Sequence, residues 1–191
     1  SIFDDAFLAR VKEIEEKNLA QAALEQLLRG QILILKGKNH VQQRKFSEML
    51  ESTLKRYRDG DLEDIQNVID DLLDLGREMK AANDRGEDLG LTYEELAFYD
   101  ALEENEVAVR QMGEGKLCEI AKAMTEKVKE LWTVDWAYSE RKQAQFRIEL
   151  RDLLEKFGYP PEECERAVET VLEQAKLNAR NQDIIYTGEE E

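Results

Sequence analysis

The stretch Gly90-Leu91-Thr92-Tyr93-Glu94-Glu95-Leu96-Ala97-Phe98-Tyr99-Asp100-Ala101-Leu102 decides how the rest of the chain is read. It specifies a helix completely. Thr92 is placed to cap the helix by accepting from the amide of Glu95, and Glu95 can reach back to the amide of Thr92. Leu91, just before the cap, is placed to staple onto Leu96. Beyond the cap, Phe98, Tyr99, Ala101 and Leu102 share one arc of the helical wheel, with Asp100 and Glu104 expected on the opposite, wetter arc.

The same 3.6-residue period recurs in both directions. Upstream, Phe7, Leu8, Val11 and Ile14 share a face. Asn18 is read as the cap of a second helix bearing Ala23, Leu24, Leu27 and Leu28. Gly30 interrupts that pattern, QILILK is read as its helical extension, and Gly37 makes a turn. Asn39 caps a third helix with Phe46, Met49, Leu50, Leu54 and Tyr57 as its stripe. Asp59-Gly60 signals a turn, and Asp61 is read as the cap of a fourth helix carrying Leu62, Ile65, Ile69, Leu72 and Leu73. The polar, glycine-containing segment 81–90 is the best internal loop candidate.

Downstream, 105–115 reads as a connector with a helical turn at 107–112. Leu117, Ile120, Ala121, Met124, Val128, Leu131 and Trp132 mark the next helix. Ser139 caps another, striped by Phe146, Leu150, Leu153, Leu154 and Phe157, with Ile148 off the stripe. Gly158 as its C-cap and Pro161 at the first position of the last helix follow the usual asymmetry of those residues. The fold class is all-α: an irregular bundle of roughly seven to nine helices without significant sheet. We divide it into an N-terminal helical arm (1–82), a C-terminal helical bundle (83–180) and a frayed acidic tail (181–191).

A formal charge of −16 over 191 residues argues against a protein devoted to nucleic acid. The charge is uneven, however. Between 36 and 58 it is basic, with Arg44, Lys55 and Arg58 on the face opposite the apolar stripe. The plain alternative is a salt-laced surface, with Arg44 pairing Glu48 and Lys55 pairing Glu51. No apolar run is long enough to span a bilayer, so a soluble, cytoplasmic protein is expected. Cys118 and Cys164 sit on apolar stripes and read as buried thiols rather than a disulfide.

Chemical motifs fail on spacing. Six residues separate Gly30 from Gly37-Lys38 where a phosphate loop needs four, and Asn39 stands where a hydroxyl should hold magnesium. No register of the acidic segment 83–95 supplies calcium-loop ligands. Asp70, Asp71 and Asp74 read as a solvated face, and the single histidine, His40, has no nucleophile beside it. No catalytic, metal or cofactor-binding residue is expected, and no small-molecule substrate.

The run GLTYEELAFYDAL resembles a hallmark of the C-terminal region of type I restriction endonuclease motor (R) subunits. So do NHVQQRKFSEML (39–50), Val134-Asp135-Trp136 with Arg141 after it, and FGYPP (157–161, containing Gly158, Tyr159, Pro160 and Pro161) running into AVETVLEQA. The resemblance implies a non-catalytic helical module of a prokaryotic R subunit whose parent cleaves DNA using ATP and magnesium. The implied partners are the methyltransferase and specificity subunits, with DNA reached through the complex. Contact with DNA or partner is expected through Arg141, Lys142, Arg147 and Arg151, with Arg44, Lys55 and Arg58 as a second patch. The rival reading is a free-standing acidic helical adaptor or dimerisation module.

Overall fold

The computed structural model describes residues 5–59, 64–131 and 139–187. Among them are eight helices and no strand: α1 (Asp5–Lys12), α2 (Lys17–Lys36), α3 (His40–Arg58), α4 (Ile65–Asp88), α5 (Tyr93–Glu103), α6 (Glu106–Leu131), α7 (Glu140–Phe157) and α8 (Pro161–Thr187). They form two compact units. One comprises Ser1–Lys36 and Gln42–Arg85; the other comprises Gly86–Glu191 together with the short segment Gly37–Val41.

In the first unit, Val11 of α1, Leu24, Leu28 and Ile32 of α2, Phe46, Leu50 and Leu54 of α3, and Val68, Ile69, Leu72, Leu73 and Leu75 of α4 supply one core. Exposed ion pairs tie the same helices: Lys12 to Asp70, Arg29 to Glu51 and Arg56 to Asp71. Two expectations are corrected here. α2 begins at Lys17, because the Glu16 carbonyl already takes the amide of Ala20, so Asn18 lies inside the helix. It then runs unbroken through Gly30, an exposed position where a missing side chain costs the core nothing. Asp61 and Leu62 lie outside the described residues. Asp64 carries the start of α4, its carboxylate accepting from the amide of Gln66 at 2.9 Å.

The expected loop at 81–90 is also corrected, since α4 continues to Asp88. An i,i+4 pair between Lys80 and Asp84 supports the added turns. Gly86 is buried there because a Cβ would lie 3.1 Å from Leu96 Cδ2. The helix stops in a Schellman turn: Gly90 adopts φ 61°, its amide reaches the Glu87 carbonyl, and that of Leu91 reaches Gly86. Two residues later α5 starts with the expected capping box. Thr92 Oγ1 accepts from the Glu95 amide at 3.3 Å, and Glu95 Oε2 accepts from the Thr92 amide at 2.7 Å. Thr92→Ala should therefore cost about 1 kcal/mol in a urea denaturation series; a shift below about 0.3 kcal/mol would show the cap is dispensable.

α5 is the axis of the second unit, packing on α6 and α8, while α7 packs on α6 and α8. Every residue from Leu96 to Leu102 is buried. The expected wet arc is absent, and Asp100 is buried with the rest. Asn105 caps α6, its side-chain oxygen accepting from the amides of Val107 and Ala108. The supposed connector is thus helical, broken only at Gly113. Leu117, Ile120, Met124 and Val128 face the core, as do Phe146, Leu150 and Leu154 of α7 and Val168, Val171 and Leu172 of α8. Ser139 Oγ caps α7 at the Lys142 amide, Gly158 closes it at φ 74°, and Pro161 opens α8. α8 runs on to Thr187, past the point where a frayed tail was expected.

Candidate functional site

The α7–α8 hairpin carries the expected basic residues. Arg147 Nε and Nη2 fork onto Glu169 Oε1 and Oε2 at 2.5 and 3.2 Å, and Arg151 Nη2 lies 3.7 Å from Glu165. Hydrogen bonding to Arg147 holds the Glu169 carboxyl below the usual carboxylate range, against some desolvation. The Arg147 pair is half-exposed and Glu165 is largely in solvent, so each pair contributes on the order of 0–1 kcal/mol at most. The acids come from α8. Glu155, one turn along α7, is not the ion-pair partner of Arg151. Arg141 is exposed and Lys142 half-buried, both in the first turn of α7.

The second basic patch lies on α3, where Arg44, Lys55 and Arg58 are all exposed. Glu51, expected beside Lys55, instead accepts from Arg29 Nη1 at 2.8 Å. Asp135 and Trp136 lie outside the described residues.

Sequence reasoning missed a buried polar cluster. Asn39, 1% exposed, donates from Nδ2 to Asp100 Oδ2 at 2.7 Å. Beside it, Gln174 of α8 is fully buried; its Oε1 accepts from the His40 amide and its Nε2 donates to the Lys38 carbonyl, both at 2.8 Å. One side-chain amide thus satisfies backbone groups on either side of Asn39, as a neighbouring strand would. His40 Nε2 lies 3.4 Å from Glu173, and the Lys38 ammonium sits 5.5 Å from the Tyr93 ring centroid. The Tyr93 phenol is pushed up to about 12, by burial first and then by the charge of Asp100. The signal that was available is the run Leu96 to Leu102, apolar all round except at Asp100.

Tyr159 makes a second tie. Its hydroxyl donates to the Leu102 carbonyl at 3.1 Å and accepts from Asn105 Nδ2 at 3.4 Å, so the α7–α8 corner closes the end of α5. The adjoining cleft, of about 10 Å³, has room for roughly one water. Cys118 is half-buried and Cys164 buried, and neither is in a disulfide. Among the described residues no three His, Cys, Asp or Glu side chains gather to hold a metal ion, and no helix is long and apolar enough to cross a membrane.

Residues 1–181 match the model of the family described as type I restriction enzyme HindI endonuclease subunit-like, C-terminal. The chain belongs to that family. Its relatives include the type I restriction enzyme HindI endonuclease subunit of Haemophilus influenzae, 36% identical over 92% of this chain and 17% of that protein. The putative type I restriction enzyme MjaIXP endonuclease subunit of Methanocaldococcus jannaschii is 32% identical over 83% of this chain and 15% of its own length. This member of the restriction-subunit family therefore spans about a sixth of the curated relatives it matches. No solved structure matches it.

Proposed function

We propose that this chain is a non-catalytic helical module of a type I restriction enzyme's endonuclease subunit. In this reading it joins the motor to the methyltransferase and specificity subunits and borders the DNA path during ATP- and magnesium-dependent translocation and cleavage by the parent. The observation that carries the reading is the family match through residues 1–181, which runs across both helical units. The failed phosphate-loop spacings support placing the ATP chemistry elsewhere in the parent. The exposed basic residues of α3, with Arg141 and Lys142 at the start of α7, are the candidate DNA contacts. Arg147 and Arg151 join them by exchanging Glu169 and Glu165 for phosphate oxygens.

The test belongs in the assembled enzyme, where other subunits hold the DNA and raise its effective concentration. Glutamate at 147 or 151 would face Glu169 or Glu165 and confuse folding with binding, so glutamine is the better substitution. Arg147→Gln with Arg151→Gln, and separately Arg44→Glu with Lys55→Glu and Arg58→Glu, should slow DNA cleavage by about tenfold or more while the complex still assembles. DNA affinity should also fall less steeply with salt, by about 0.9 in log–log slope per lost contact. Wild-type cleavage and salt dependence in both variants would reduce these residues to solvated helix faces.

A further inference from the structure

Among the described residues, α2 carries three of the six exposed large apolar side chains. Leu19 is 62% exposed, Leu33 68% and Ile34 51%, with Ala22, Gln26 and Gly30 exposed between them. At 100° per residue Leu19, Ala22, Gln26, Gly30 and Leu33 fall on one arc, opposite the buried Leu24, Leu28 and Ile32. None of the five is charged. Their order is also a palindrome about Gln26. Leucine stands seven residues to either side, and a small residue, Ala22 or Gly30, stands four to either side.

We propose that this face is a homodimer interface, in which α2 of one chain lies antiparallel against α2 of a second copy on a two-fold axis through Gln26. The symmetry of the stripe argues for that occupant, because a two-fold contact must present the same patch twice. Antiparallel pairing sets each Leu33 against the partner's Leu19 and each Gly30 against the partner's Ala22. The small residues let the helices approach, and the two Gln26 amides meet as mutual donor and acceptor.

Charge at the edge agrees. Arg29 and Glu25 flank the stripe on one side, and antiparallel pairing brings each Arg29 within about 3 Å, along the axis, of the partner's Glu25. The two Arg29 are separated by about three times that distance. In the monomer the same arginine holds its own Glu25 at 3.0 Å and Glu51 at 2.8 Å, so association joins two such triads into a six-membered network. One helix face is smaller than the roughly 800 Å² per partner of a standard interface, so the dimer is expected to be weak, on the order of 10–100 μM.

Sedimentation equilibrium of the 191-residue chain from about 5 to about 500 μM should show a monomer–dimer equilibrium. Leu33→Glu should weaken it by about tenfold or more, with an unchanged melting profile because that side chain is already exposed. Cysteine pairs test the register. Gln26→Cys should oxidise to a covalent dimer. Leu33→Cys should not cross-link to itself, its twin being about 21 Å along the axis, but should cross-link when mixed with Leu19→Cys chains. A monomer throughout the concentration range, a dimer indifferent to Leu33→Glu, or self-cross-linking at position 33 would each overturn the proposal. A monomer would leave the face to another part of the parent subunit.

Discussion

Phe98→Ala should lower the stability of the second unit by about 3–5 kcal/mol, the range for removing a fully buried aromatic side chain. Phe98 is 1% exposed and lies in the middle of α5, with Leu96 to Leu102 buried continuously around it. A one-faced helix can tilt or slide to shrink the cavity such a deletion leaves. α5 has little such freedom. It is held at its start by the capping box, at its end by Tyr159 on the Leu102 carbonyl, and on its flanks by α6 and α8. The cavity should therefore stay open, and the cost should fall toward the upper end. Chemical denaturation followed by far-UV circular dichroism measures it. A loss below about 1 kcal/mol would mean that α5 repacks freely and is not the axis of this unit.

What was legible beforehand was local. Thr92 with Glu95, Ser139, Gly158 and Pro161 were readable because a cap and its partner lie within a few residues and follow from backbone geometry alone. The apolar stripes of α3, α6 and α7 were readable because the helical period is stronger than any single substitution in it. The miss at 83–86 is local, while those at Arg147, Arg151 and Asp100 share a cause: partners distant in sequence. Asn83, Asp84, Arg85 and Gly86 have loop composition, yet they continue α4 because Lys80 pairs with Asp84 and the missing Cβ of Gly86 admits Leu96. Arg147 and Arg151 are matched by acids on α8, Glu169 twenty-two residues from Arg147, which i,i+4 counting on α7 cannot find. Asp100 looked like the mark of a solvent face. A buried carboxylate is tolerable there in part because Asn39, sixty-one residues earlier, supplies a donor.

That last dependence gives the second large effect. Asn39→Leu keeps much of the buried volume but removes the amide that donates to Asp100, and should cost about 2–3 kcal/mol, the range for losing a hydrogen bond to a charged group. The loss should not stay at one residue. Asn39 lies between Lys38 and His40, whose backbone groups are held by Gln174, so loosening Asn39 also strains both of those 2.8 Å bonds. Amide exchange should accordingly quicken most at His40, well before the core amides of α6. The more informative variant is Asn39→Asp, which keeps the shape but sets a second carboxylate against Asp100. If the hydrogen bond is what makes Asp100 tolerable, aspartate should be worse than leucine despite being closer to asparagine in size. Should Asn39→Asp prove as stable as the wild type near pH 7, then Asp100 is satisfied by its other contacts, and the 37–41 segment is held in the second unit by Gln174 and packing alone.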